Sequence, residues 1–103
     1  MRVELTEDAE LDIEHIFESI AAEGRPMTAT RMLQRIREPI LTLENFPERA
    51  RDSKAFAGAH ELVIKRLPYV AIFYIDGDVV RVVAVVHTRR RLPTRSRETL
   101  PAQ

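Results

Sequence analysis

The side chains with the most to offer chemically lie in the second half of the chain: Glu61, Arg66, Arg81, His87 and the run Arg89-Arg90-Arg91. They are the ingredients for cleaving RNA by attack of a 2′-hydroxyl on the neighbouring phosphate. That reaction needs a base working near neutral pH, an acid for the leaving oxygen, and cations for the phosphate. Glu61 or His87 could serve as the base, Arg66 or Arg81 could hold the phosphate, and Arg89, Arg90 and Arg91 add positive charge. A plainer role is also open to His87, as a hydrogen-bonding residue closing a strand. Other chemistries fail earlier. There is no cysteine, which removes disulfides and thiolate metal sites. His15, His60 and His87 stand far apart, without the paired spacing of a metal site. Gly24, Gly58 and Gly77 each fall at a turn, so no glycine-rich phosphate loop exists and no cofactor is expected.

The elements that must hold these groups can be read from periodicity. Arg2 to Leu5 alternates polar and apolar residues and predicts a short strand. Thr6 is a suitable N-cap, and Glu7 and Asp8 suit the positive end of a helix dipole. Ala9, Ile13, Ile16, Phe17 and Ile20 then recur at helical spacing until Gly24 and Pro26. Thr28 is the expected cap of a second helix, with Ala29, Met32, Leu33, Ile36, Ile40 and Leu43 on one face and Pro39 bending it. Two helices joined by a short turn make an antiparallel hairpin. Residues 47–59 read as loop. The period then changes to two: Glu61–Lys65, Tyr69–Ile75 and Val79–His87 are strands, with Asp76-Gly77-Asp78 as a tight hairpin turn. The expected fold is α+β, in the order β-α-α-β-β-β, with the helical hairpin on one face of a small, mainly antiparallel sheet.

Strict alternation in the last strand puts Val80, Val82, Ala84 and Val86 against the helices and Val79, Arg81, Val83, Val85 and His87 on the other face. Val63, Ala71 and Phe73 would join that second face. Because the helices cover only one side, the reading predicts an exposed apolar patch of Val63, Ala71, Phe73, Val83 and Val85, suited to an amphipathic segment of another protein.

Acidic and basic residues balance at 16 each, but the average conceals a split. Residues 1–48 hold eleven acids and five arginines, whereas residues 49–103 hold eleven bases and five acids. A basic half can face a polyanion or an acidic partner. The first helix is acidic, so no basic recognition helix is available for reading a DNA groove, and any DNA contact by this chain alone should be weak and salt-sensitive. With 45% hydrophobic and 31% charged residues, the composition is that of a globular chain. The acidic N-terminal stretch contains no signal-like apolar run, and the expected location is the cytoplasm, with no membrane contact.

Five short segments in order resemble the ParE branch of the ParE/RelE toxins. Arg2–Leu5 followed by Thr6-Glu7-Asp8-Ala9-Glu10-Leu11-Asp12-Ile13 resembles their opening strand and acidic helix. Asn45-Phe46-Pro47-Glu48-Arg49-Ala50-Arg51 is similar to a family loop that usually has glycine at the position of Ala50. Gly58-Ala59-His60-Glu61-Leu62-Val63 is similar to the start of a family strand, with His60 in place of the usual arginine. Pro68-Tyr69-Val70-Ala71-Ile72-Phe73-Tyr74, and Val85-Val86-His87-Thr88-Arg89-Arg90 with Pro93, resemble the two closing strands.

The resemblance implies a toxin domain over residues 1–93 and a loose tail over 94–103. It implies a type II toxin–antitoxin pair, with a ParD-like antitoxin held by the hairpin and sheet, and hetero-oligomers of the two are expected. It also implies a target: ParE-type toxins poison DNA gyrase, whereas RelE-type relatives cut messenger RNA on the ribosome, and fold alone does not choose. RelE-type nucleases usually carry an arginine in the strand that here reads Pro68–Tyr74, and alternation places Ala71 at that point of the concave face. An alanine cannot hold a phosphate. The expectation is therefore a gyrase inhibitor that works by binding, with His87, Arg89, Arg90 and Arg91 facing the target and Val63, Ala71, Phe73, Val83 and Val85 facing the antitoxin. The alternatives are a ribosome-dependent endoribonuclease using Glu61, Arg66 and His87, or an inactive homologue that only binds antitoxin.

Overall fold

A computed structural model of the chain describes residues 1–45, 50–53 and 56–88. Strand β1 (Arg2–Leu5) leads into helix α1 (Glu7–Ala22), and α2 (Pro26–Leu41) returns antiparallel to it. A single 3-10 turn over Thr42–Glu44 follows. Strands β2 (Arg51–Asp52), β3 (His60–Val63), β4 (Tyr69–Asp76) and β5 (Val79–His87) complete a sheet in the order β1-β5-β4-β3-β2. Among the described residues only the β1–β5 pairing is parallel. The two-residue β2 falls inside the stretch expected to be loop, too short to leave a periodic signature.

The caps explain the helix ends. The Thr6 hydroxyl accepts the Ala9 N–H at 3.1 Å, as expected of an N-cap. The second helix starts at Pro26, ahead of the expected Thr28 cap, and has no side-chain cap. Proline at the first helical position has its φ already set and no N–H to satisfy, so the cap is dispensable. Pro39 is tolerated inside α2, where its carbonyl accepts the Thr42 hydroxyl at 2.6 Å. In the hairpin between β4 and β5, Gly77 takes φ +62°, the positive value that a two-residue loop of this kind demands.

The helical hairpin packs on one face of the sheet through Ala9, Ile13, Ile16, Ile36, Ile40 and Leu43, which meet Leu62, Ile64, Ala71, Phe73, Val80, Val82 and Val85. Each large side chain buried there is worth roughly 1.5–3 kcal/mol relative to exposure. Strict alternation in β5 fails at one point. Ile72 pairs with Ala84 but Phe73 pairs with Val82, so β5 carries one extra residue, Val83, over this stretch. A bulge of this kind resets the pleat. Val80 and Val82 face the helices as expected, and beyond the bulge it is Val85 that does so, while Ala84 and Val86 turn away.

The reset overturns the expected patch. Ala71, Phe73 and Val85 lie in the helix-side core and are fully buried. On the opposite face, Phe56 and Ala59 pack with Val70, Ile72, Val83, Ala84 and Val86, all of them buried, with Tyr74 beside them. Of the five residues expected to form an exposed surface, only Val63, at 45% exposure, is accessible.

Strand β1 pairs with only the first four residues of β5. Past that point, the Val85 N–H donates to the Asp12 carboxylate at 2.9 Å. Asp12 is fully buried on α1, so the helix completes what β1 leaves undone and is pinned to the sheet. Truncating Asp12 should leave that amide buried without an acceptor, at a cost of about 2–3 kcal/mol. Asp12→Ala should therefore melt roughly 10 °C below the parent chain in thermal unfolding followed by circular dichroism, with Asp12→Asn losing less. A melting point for Asp12→Ala within about 2 °C of the parent would remove this bond from the account.

Candidate functional site

The structure separates the groups that sequence reasoning assembled for RNA cleavage. Glu61 is 1% exposed. It stands opposite Ile72 in the β3–β4 ladder, on the face turned away from the helices. Its carboxylate accepts the Ser53 hydroxyl at 3.0 Å and the Arg51 Nε–H at 3.4 Å. The Ser53 hydroxyl in turn accepts the Phe56 N–H at 3.1 Å. Glu61 thus anchors the segment that carries Phe56 onto the sheet.

His87 is elsewhere. It pairs with Tyr69 across the β4–β5 ladder, two residues beyond the Ala71–Val85 pair that packs under the helices. Tyr69 packs against that same core. Glu61 and His87 therefore belong to opposite faces. Arg81 is already occupied: it bonds Asp76 at 2.9 Å and lies 3.6 Å from Glu4. The Asp76 hydrogen bond, aided by both carboxylates, pushes the Arg81 pKa above its ordinary value, so this cation is committed to tying β1, β4 and β5 together.

The residues that do converge lie at the sheet end opposite the Gly77 hairpin. The turn from Ile64 to Tyr69 is closed by the Ile64 N–H to the Tyr69 carbonyl at 3.0 Å and the Leu67 N–H to the Ile64 carbonyl at 3.2 Å. The Thr88 N–H donates to the Pro68 carbonyl at 2.9 Å, which docks the turn against the end of β5. Lys65 and Arg66 are exposed on this turn, and the rings of Tyr69 and His87 meet edge to face at 5.7 Å beside it. Burial pushes the Tyr69 phenol pKa up, so it remains a hydrogen-bond donor at neutral pH and is no base. Arg89, Arg90 and Arg91, and the tail over 94–103, lie outside the described residues.

Two grooves flank the helices. One, of about 400 Å³, runs between α1 and α2; Ile13, Phe17 and Leu33 line it with Glu10, Glu14, Glu18 and Arg37. Arg37 closes onto Glu10 at 2.7 Å. The other, of about 320 Å³, lies between α2 and β3, and its lining includes Arg35, Glu38, Val63 and Lys65. Among the described residues no group of three potential metal ligands comes together, and no helix is long and apolar enough to cross a membrane.

Sequence reasoning missed Asp12, although a signal was present: an acidic residue beside Ile13, on the same stripe as Ala9 and Ile16. It also missed the burial of Glu61, because Arg51 and Ser53 are distant in sequence.

The anchoring role of Glu61 has a simple test. Glu61→Ala removes the acceptor of both Arg51 and Ser53 and should accelerate trypsin cleavage after Arg51 by about tenfold or more, the result of losing roughly 1.4 kcal/mol of local closure. Glu61→Gln keeps an acceptor for Ser53 and should stay within about threefold of the parent rate. Equal rates for Glu61→Ala and the parent would show that the segment is held by other contacts.

Comparison with known proteins agrees with this architecture. Eight chains of solved structures match. One, described as "Chromosomal ParDE TA system from P. aeruginosa", superposes with a TM-score of 0.78 at 22% identity, covering 84% of this chain and 95% of that one. No curated protein matches. At that identity the structural likeness speaks for the fold, whereas the family assignment comes from the sequence. Residues 3–92 match the family described as "ParE toxin of type II toxin-antitoxin system, parDE", and the chain belongs to that family.

Proposed function

We propose that this ParE toxin acts in the cytoplasm by binding DNA gyrase and stabilising a cleaved-DNA state, and that a ParD-like antitoxin neutralises it. The observation that carries the choice of binding over chemistry is the position of Glu61. A carboxylate held by Arg51 and Ser53, on the face opposite His87, is badly placed to share a substrate with that histidine. A general base must reach the proton it abstracts. Ala71 favours neither binding nor chemistry, because it is buried under the helices.

The target-facing residues in this reading are His87, at the sheet end, together with Arg89, Arg90 and Arg91. The antitoxin surface is the groove of the helical hairpin. Its apolar lining of Phe17 and Leu33, edged by Glu10, Glu14 and Glu18, suits an amphipathic helical segment with basic residues at its margins. Val63, exposed at the second groove, is retained as a peripheral contact. Phe73, Val83, Val85 and Ala71 support these surfaces from inside the core.

Toxin separated from its antitoxin should abolish gyrase supercoiling of relaxed plasmid or accumulate cleaved plasmid, while messenger RNA in a purified translation system stays intact. Arg89→Ala with Arg90→Ala should remove that activity more completely than His87→Gln. Cut RNA with normal supercoiling would instead establish the ribonuclease, and normal growth on expressing soluble toxin without antitoxin would identify an inactive homologue.

A further inference from the structure

The β3–β4 turn carries two cations, one of them at a backbone position that favours glycine. Lys65 and Arg66 are exposed, and neither forms an ion pair among the described residues. Arg66 sits at φ +66°, the one described non-glycine residue in the left-handed region. A side chain there is strained, and glycine would avoid the penalty. Strain kept at an exposed position points to a use for the side chain.

The surroundings suggest that use. The Thr88–Pro68 bond fixes the turn beside His87, and the partly exposed rings of Tyr69 and His87 stand next to it. The Tyr69 hydroxyl keeps its proton. At the opposite sheet end the cation Arg81 is already paired with Asp76, whereas among the described residues Lys65 and Arg66 are not paired in this way. The carboxylate that shares a groove with Lys65 is Glu38, with Arg35 in the same lining. Cations combined with partly exposed rings are what a nucleic-acid strand uses, phosphates on the former and bases on the latter. An acidic polypeptide would use the cations and leave the rings idle.

The geometry points to a nucleic-acid-backbone contact at this end of the sheet, with Lys65 and Arg66 on the phosphates and Tyr69 and His87 beside them. It goes beyond the gyrase reading and does not depend on it, since the contact is a property of the toxin alone. It is a weak, salt-sensitive contact of the kind that would hold a strand already brought close by a larger target.

The experiment is fluorescence anisotropy of the full chain with a labelled single-stranded DNA of about 20 nucleotides, from about 50 to 200 mM salt, a range over which phosphate contacts weaken steeply. Arg66→Gly should melt at or above the parent temperature, because it relieves the strain, yet bind roughly three- to tenfold more weakly with a salt slope lower by about one. Lys65→Gln leaves the backbone of Arg66 unchanged and should weaken binding by a similar factor. No binding by the parent at about 50 mM salt, or parent-like affinity in the double variant, would overturn the proposal. So would polyglutamate competing as well as DNA, which would reassign the turn to an acidic protein.

Discussion

The bond from the Val85 N–H to the Asp12 carboxylate ties the two layers of the domain together. The N-terminal strand is four residues long and β5 is nine, so among the described residues no strand lies beside the outer half of β5 on that edge. Asp12 reaches down from α1 to occupy one of its amides. A buried carboxylate is expensive unless it is bonded, and that expense makes the contact specific: rotating α1 about its axis would strand the charge. With Asp12 fixed, Ala9, Ile13 and Ile16 are held over Val80, Val82 and Val85, and the groove shared with α2 takes its shape from the same constraint.

The second constraint is the extra residue in β5. By shifting the ladder between Ile72 and Phe73, the bulge lets Val82 and Val85 both face the helices although three positions separate them. Plain alternation along the regular stretch before the bulge decides which polar groups can cooperate. Glu61 stays on one face with Arg51 and Ser53, while Tyr69 and His87 belong to the other. The acid–base candidates are thus kept apart by the pleat of the sheet itself. The result suits a molecule that holds a macromolecular target better than one that transforms a small site on it.

Much of this was legible in the residues. The helix period through Ala9, Ile13 and Ile16, the Thr6 cap, the Asp76-Gly77-Asp78 turn and the succession of two helices and three longer strands after β1 follow from local patterns, and each is present. What local patterns cannot carry is an interaction between distant residues. The bulge has no signature in Val79–Val86, where nearly every residue is apolar and either phase looks equally good. Taking strict alternation through that run turned Ala71, Phe73 and Val85 outward, when all three are core. Asp12 is one acid among many in α1 by sequence, because its acceptor role depends on an amide 73 residues away. The positive φ of Arg66 left no trace at all, since neither Lys65 nor Leu67 announces it.

In the proposed function the sheet end bearing Lys65, Arg66 and His87 faces the target, while the helical hairpin is left for the antitoxin. Hydrogen–deuterium exchange of the full chain, alone and with gyrase and plasmid DNA, tests it directly. Amides in residues 64–69 and 86–88 should exchange more slowly in the complex, with α1 and α2 unchanged. Slowed exchange confined to α1 and α2, with 64–69 unaffected, would contradict the account and move the target to the hairpin.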